Sequence, residues 1–281
     1  MKNVLVVVHP ERAEAIAHGN DLSKKLQDVG FTALTNRSDL VTQASEFKTG
    51  VDLQAVVVFG GDGTILQAAE LARQNDLPLL GVNLGRVGFL AEVDALSIEE
   101  TADAIQKKSY SIDQRMTLEY KVLRADQEVS SGWALNEVTI ERNGTTMVEL
   151  FLQIDHRPIS SWWCDGLIVA TPTGSTAYAF SAGGPIVWPE AEVLVITPIA
   201  AHALFTKPLV TSPTSPITID VESSDALVSA DSLRKLPLKE GDRVEITKSQ
   251  LPIKLAHIKQ VNFSDRLVAK FKLPVEGWRG E

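Results

Sequence analysis

Val56-Val57-Val58-Phe59-Gly60-Gly61-Asp62-Gly63-Thr64 is the stretch on which the reading of this chain turns. An apolar, β-branched run enters a glycine-rich turn that carries one carboxylate. Ile65–Asn75 then follows with helical spacing, Leu66, Ala69 and Ala72 or Arg73 making its faces. Three glycines within four residues allow close backbone approaches that a Cβ would block. Parallel sheets place ligands at the carboxyl ends of their strands, where this turn belongs. The plain alternative is a strand-to-helix turn with Asp62 capping the next helix. That alternative accounts for one Asp and one Gly and leaves two glycines without a reason.

The pattern on either side repeats the theme. Val4–Val8 reads as a buried strand, and Arg12–Val29 as a helix with Ile16, Leu22, Leu26 and Val29 at helical spacing, closed by Gly30. Phe31–Leu34 and Leu79–Val82 are further strands, and Ser97-Ile98-Glu99-Glu100 is a capping box opening a helix to about Lys107. Such alternation predicts an α/β domain with a mostly parallel sheet covered by helices. A second glycine-rich turn, Gly81-Val82-Asn83-Leu84-Gly85-Arg86-Val87-Gly88-Phe89-Leu90, leaves the end of a predicted strand on the same sheet edge as the first.

From about Met116 the pattern changes to short β runs: Leu118–Leu123, Val138–Ile140, Leu150–Ile154, Leu167–Ala170, Val193–Thr197, Ile217–Val221 and Val244–Ile246. Gly, Pro, Ser and Asp separate them, as in Asp155-His156-Arg157-Pro158 and Glu240-Gly241-Asp242. An all-β, sandwich-like domain is expected, and no helical pattern returns until Asp265–Phe271.

Composition bounds the class. The chain has 281 residues, 44% of them hydrophobic and 22% charged, as in a globular protein. No apolar run approaches the ~20 residues that a membrane-spanning helix needs, and Met1–Val8 lacks the length and cleavage site of a secretory signal. The expectation is a cytoplasmic protein with no membrane partner. A net charge of −9 argues against a nucleic-acid partner, whose phosphates call for a basic field, but backbone amides can still hold a small phosphorylated ligand. The single cysteine, Cys164, excludes an intrachain disulfide and reads as a buried small residue rather than a nucleophile.

A third segment carries an unusual density of hydroxyls. Cys164-Asp165-Gly166-Leu167-Ile168-Val169-Ala170 runs into Thr171-Pro172-Thr173-Gly174-Ser175-Thr176-Ala177-Tyr178, and on through Ser181 to Gly183-Gly184-Pro185. A strand emptying into hydroxyls beside an aromatic ring suits a base or nicotinamide with its ribose. A Ser/Thr-rich loop that only caps its own turns is the alternative. Trp162 and Trp163 are open between core and interface, and His202 between the site and packing.

Taken together, these motifs resemble the NAD kinase family. The likeness rests on Gly60-Gly61-Asp62-Gly63-Thr64, Asn83-Leu84-Gly85-Arg86-Val87-Gly88-Phe89-Leu90, Asn136-Glu137, Asp165-Gly166 and Thr171–Tyr178, which fall in the family's order. The first motif alone is shared with diacylglycerol, sphingosine and sugar-phosphate kinases. The resemblance implies two domains: residues 1–115, completed by about 260–281, and a β-rich NAD-binding domain over 116–259. It implies that Asp62 is the general base for the 2′-hydroxyl of the adenosine ribose of NAD. It also implies Mg²⁺, ATP or polyphosphate as phosphoryl donor, and a homodimer or homotetramer. Gly61, Gly63, Arg86, Phe89, Leu90, Asn136, Glu137, Asp165, Thr176, Ala177, Tyr178 and Ser181 match positions that line the family's nucleotide site, with Phe89 and Leu90 packing against the nucleotide.

The chain departs from the family at Trp163 and Gln67, where many members carry a basic residue, and at Asp231-Ser232-Leu233 in place of Asp-Gly-Gln. Arg86 and Arg234 are the candidates to replace the missing charge. Two competing functions are a lipid kinase and a catalytically silent NAD(H)-binding sensor. Lipid kinases follow the first motif closely with Asn-Glu, whereas here Ile65-Leu66-Gln67-Ala68 follows. The intact Asp62 speaks against the sensor.

Overall fold

The computed structural model describes residues 2–36, 52–84, 88–92, 97–260 and 262–275. The chain divides into two compact units, Met1–Gln114 with Ile253–Glu281, and Arg115–Pro252.

The first unit is built on a six-stranded sheet. Its strands are β1 (Lys2–Val8), β2 (Phe31–Asn36), β3 (Leu53–Phe59), β4 (Pro78–Val82), β5 (Ser111–Arg115) and β18 (Ile253–His257), in the order β2-β1-β3-β4-β18-β5. The pairs β1/β2, β1/β3, β3/β4 and β4/β18 are all parallel. Val4–Val7 and Val56–Phe59 have no exposed surface, the mark of strands covered on both faces. Among the described residues the helices of this unit are α1 (Ala13–Asp28), α2 (Asp62–Gln74), α3 (Ile98–Lys107) and α5 (Phe263–Phe271). Leu22 and Leu26 of α1 and Ala102 and Ile105 of α3 join Val4, Val6, Val57 and Phe59 in one core. Each fully buried aliphatic side chain there contributes about 1.5–3 kcal/mol, most of it offset by the entropy of ordering the chain. The expected capping box is present: the Ser97 hydroxyl accepts from the Glu100 amide at 3.1 Å, and the Glu100 carboxylate accepts from the Ser97 amide at 2.8 Å.

The second unit consists of two six-stranded antiparallel sheets around one core. One holds β6 (Leu118–Arg124), β7 (Gln127–Ala134), β9 (Val148–Ile154), β10 (Arg157–Cys164), β14 (Ile217–Val221) and β17 (Arg243–Lys248), in the order β10-β9-β14-β17-β6-β7. The other holds β8 (Glu137–Arg142), β11 (Gly166–Ala170), β12 (Leu194–Ile199), β13 (Leu209–Thr211), β15 (Ala226–Ala230) and β16 (Arg234–Leu238), in the order β13-β12-β11-β8-β15-β16. Leu118, Tyr120 and Val122 alternate inward from β6 and meet Val138, Ile140, Leu167 and Val169 of the other sheet, with Trp162 fully buried among them. This is a β-sandwich. The other face of β11 is also covered: Ile168 and Ala170 pack with Ala179 and Val195. The Thr171–Val187 segment therefore folds back over its own strand, with a single helical turn α4 (Tyr178–Ser181) in its middle.

Two features of the sequence reading need correction. The return to the first unit begins at Ile253, not near 260, because β18 inserts beside β4. The strands β5, β7, β10, β13, β15, β16 and β18 were not anticipated. Three of the hairpins turn on Ala125-Asp126, Asp155-His156 and Asp231-Ser232, with φ between 49° and 60° at all six residues. The first two are the two-residue turns that match strand twist, here made without glycine, while the third connection runs over Asp231-Ser232-Leu233. The prolines Pro158 and Pro237 lie on β10 and β16, which are edge strands of their sheets, where a missing N–H is tolerated.

Candidate active site

In the first unit, β3 delivers Gly60 and Gly61 to the sheet edge, and α2 begins at Asp62. The amides of Thr64 and Ile65 bond to the Gly61 carbonyl at 2.9 and 3.1 Å, so the turn is locked by its own main chain. The Asp62 side chain turns away from its helix toward the second glycine-rich turn. Its Oδ2 accepts from the Phe89 amide and its Oδ1 from the Leu90 amide, both at 3.2 Å. Capping of α2 is therefore not the role of Asp62. Two amide donors fix the plane of the carboxylate and leave further lone pairs on each oxygen able to accept a proton.

The glycines divide into two kinds. A Cβ on Gly88 would collide with the Asp62 carboxylate, so Gly88 is required by the protein's own packing. A Cβ on Gly61 or Gly63 would meet nothing within 4 Å among the described residues. Their smallness answers no need of the fold and keeps backbone open to a ligand.

Phe89 and Leu90 are both buried. The Phe89 ring lies 5.9 Å from both Phe263 and Phe271 of α5. What this turn offers to chemistry is its amides. Behind it, the Ala91 carbonyl accepts from the Arg266 guanidinium, and Glu92 accepts from the Ile258 amide at 2.6 Å. Arg86 lies outside the described residues.

In the second unit, Asn136 and Glu137 stand where β7 gives way to β8, and both are buried. The carboxylate of Asp231 accepts from three successive amides: Leu135 at 2.7 Å, Asn136 at 2.8 Å and Glu137 at 3.3 Å. The Asn136 carbonyl in turn accepts from the Thr171 amide at 2.9 Å. Gly174 lies so close to the Asn136 main chain that no side chain could replace its hydrogen. Burial, with the Asp231 charge added, pushes the Glu137 carboxyl up to about 8. Burial raises Asp231 to about 6, against the pull of its three amide donors.

Glu141 follows Glu137 by four positions along β8, on the same strand face. Its Oε1 accepts from the Tyr178 hydroxyl at 2.7 Å, and its Oε2 from Thr139 at 3.0 Å. Burial and the Glu141 carboxylate push the Tyr178 phenol up to about 12. Asp165 pairs with Arg142 at 2.7 Å. Glu141, Arg142, Asp165 and Tyr178, with Gly144, Ile199 and Leu227, line an open cleft of about 350 Å³.

The hydroxyls of the third segment are mostly occupied by main-chain carbonyls. Thr171 donates to the Leu135 carbonyl at 2.6 Å, Ser175 to the Pro172 carbonyl at 2.6 Å, and Thr176 to the Thr173 carbonyl at 3.2 Å. They shape the turn, and the polar groups at the cleft are instead carboxylates and a phenol. Ala177 links that turn to α4 with φ −101° and ψ −125°, and Ser181 is exposed at the end of α4. Arg234 donates to the Trp133 carbonyl at 2.7 Å and lies 4.6 Å over the Trp133 ring, with burial lowering it to about 10. His202 is exposed and tied through its amide to the Trp163 carbonyl at 2.8 Å. Cys164 is buried, and burial pushes its thiol up to about 12.

Sequence reasoning missed Glu141, Arg142 and the part played by Asp231. The alternation Glu137-Val138-Thr139-Ile140-Glu141 could have found Glu141, since period two puts both acids on one face. No local signal ties Asp231 to residues 135–137.

A parallel α/β unit that holds a carboxylate at a glycine-rich strand end, in one chain with an antiparallel β-sandwich, is the build of a small-molecule kinase. The ATP-NAD kinase N-terminal domain family matches residues 11–110, and the ATP-NAD kinase C-terminal domain family matches residues 135–258. The NAD kinase of Rhodococcus erythropolis is 43% identical over 303 residues, covering 99% of this chain and 96% of its own. The NAD kinase of Archaeoglobus fulgidus, solved in complex with ATP, superposes with a TM-score of 0.72 at 26% identity, covering 96% of this chain and 99% of that one. Yeast NADH kinase, solved with NADH, shares the fold, with a TM-score of 0.84 at 22% identity, covering all of this chain and 90% of its own. The chain belongs to the NAD kinase family.

Proposed function

We propose that this chain transfers the terminal phosphoryl group of ATP, or of another donor such as polyphosphate, to the 2′-hydroxyl of the adenosine ribose of NAD. Asp62 takes the hydroxyl proton as the ribose oxygen bonds to phosphorus. The bond to the leaving oxygen breaks, and ADP departs with its electron pair. A ribose hydroxyl is a weak nucleophile, and a carboxylate in hydrogen-bond reach lowers the cost of deprotonating it. The observation that carries this reading is the Asp62 carboxylate itself, oriented by the Phe89 and Leu90 amides beside the open backbone of Gly61 and Gly63. Asn136, Glu137, Asp165, Thr176, Ala177, Tyr178 and Ser181 are the groups of the second unit assigned to the dinucleotide.

Among the described residues no group of three or more His, Cys, Asp or Glu side chains is arranged to hold a metal. Mg²⁺ would enter with the phosphoryl donor, carried on phosphate oxygens and water as this ion prefers. No helix among the described residues is long and apolar enough to cross a membrane. A cytoplasmic homo-oligomer, dimer or tetramer, completes the proposal and is checked by sedimentation.

Purified protein with Mg²⁺, NAD and ATP or polyphosphate is expected to form NADP. Asp62→Asn should lower kcat by about 10²–10⁴-fold with NAD binding retained. Near-normal turnover by that variant would overturn the assignment of the base, and phosphorylation of diacylglycerol would reopen the lipid-kinase reading.

A further inference from the structure

Asp231 is buried, yet its carboxylate touches no cation among the bonds described. It is spent on the main chain of Leu135, Asn136 and Glu137, with the Leu135 amide at Oδ2 and the other two at Oδ1. Its own amide donates to the Glu137 carbonyl at 3.1 Å. Four hydrogen bonds thus tie the β15–β16 turn to the start of β8. Thr171 and Gly174 press on Asn136 from the other side. The pair Asn136-Glu137 is held by this clamp rather than by its own strand partners alone.

Glu137 is the second part of the observation. It is buried, and its Oε2 has no hydrogen-bond partner among the described residues. An ionised carboxylate buried with an unserved oxygen is costly, whereas a neutral carboxyl asks less of its surroundings and can donate. The groups acting on Glu137 are the Asp231 carboxylate, Glu141 on its own strand and the Tyr178 amide. The first two disfavour a second negative charge and the amide favours it.

We propose that Asp231 is a positioning residue of the dinucleotide site, acting through its neighbours: it fixes the main chain of Asn136 and Glu137, and its negative charge adds to the burial of Glu137 in making that residue present a carboxylic acid, a hydrogen-bond donor, to the dinucleotide. This rests on the reading that Asn136 and Glu137 contact NAD. Binding of NAD is then linked to one proton. The carboxyl value of about 8 places the loss of that proton just above neutral pH, while Asp231, at about 6, stays ionised there.

Calorimetric binding of NAD to the whole protein between pH 6.5 and 9.5, for wild type, Glu137→Gln and Asp231→Asn, tests this. For wild type, Kd should rise toward tenfold per pH unit above about 8. Glu137→Gln, a permanent neutral donor, should show no break across this range. Asp231→Asn removes the charge that helps hold the proton on Glu137, so its break should move to lower pH. A merely structural Asp231 would weaken binding equally at every pH and leave the break in place, which overturns the proposal. So does a flat wild-type profile, or a break that persists in Glu137→Gln. Wild type that binds no NAD at any pH overturns the functional reading itself and is told apart from wild type that binds without a break.

Discussion

A Cβ placed on Gly88 strikes the Asp62 carboxylate, so Gly88→Ala must push that group off the Phe89 and Leu90 amides or push the turn away. A displacement near 1 Å at a reacting group costs about 10² in rate, and kcat should fall by that order while the circular dichroism spectrum is unchanged. Gly63→Ala makes the contrast. Its Cβ meets nothing among the described residues within 4 Å, and it sits in the first turn of α2. Thermal stability should hold or rise, by up to about 1 kcal/mol for a Gly-to-Ala change in a helix, while KM for the nucleotide rises. Equal effects on stability and KM in the two variants would show that these glycines are not of two kinds. At this scale the sequence named Asp62 and its glycines, because chain-local residue types carry that signal. It held no sign that the Phe89 ring packs on Phe263 and Phe271, residues more than 170 positions away.

The turn that orients Asp62 leans on the end of the chain. Arg266 of α5 donates to the Ala91 carbonyl, and Ile258, just past β18, donates to Glu92. Arg266→Met leaves a buried carbonyl without its partner, at a cost of about 1–3 kcal/mol. Urea unfolding should report that loss and steady-state assays a lower kcat, because the Leu90 amide is the neighbouring group. His257 of β18 lies between Glu92 at 3.7 Å and Asp113 at 3.8 Å. Burial and the neighbouring Arg266 guanidinium lower the imidazole, but the Asp113 and Glu92 carboxylates outweigh them, and the net shift is upward. A raised folded value means that the stabilisation is fully present below the unfolded value of about 6.5 and is lost as pH rises through the folded one. The stability difference between wild type and His257→Gln should therefore shrink from pH 6 to pH 9, and a constant difference would remove the charge from this account. Most elements of the first unit were legible because each carries its own period. The strands β7, β10 and β16 were not, since they are polar, or carry proline, or follow turns made by Ala, Asp, His and Ser.

Whole-molecule behaviour follows from where the chain breaks into units. Arg115–Pro252 is one continuous segment with its own sandwich core. The first unit is discontinuous, and its sheet places β18 between β4 and β5. A fragment of residues 115–252 should fold alone with a cooperative melt. Residues 1–114 should not do so until 253–281 are supplied, because β5 would lack its sheet neighbour and Phe89 its cover. A cooperative melt of 1–114 alone would contradict this account. The same distinction separates what the sequence determined from what folding decided. Residue types and short periods, read along the chain, were enough for the two-part α/β and all-β architecture, for Asp62 in its glycine-rich turn and for the family. Bonds between residues distant in sequence carry no local period and appear only once the chain is folded. The Asp231 clamp on residues 135–137, the acid pair Glu137 and Asp231, and the brace of α5 behind Asp62 are all of this kind. They were decided by tertiary structure because their energies come from neighbours that the strand register and the chain's return bring together.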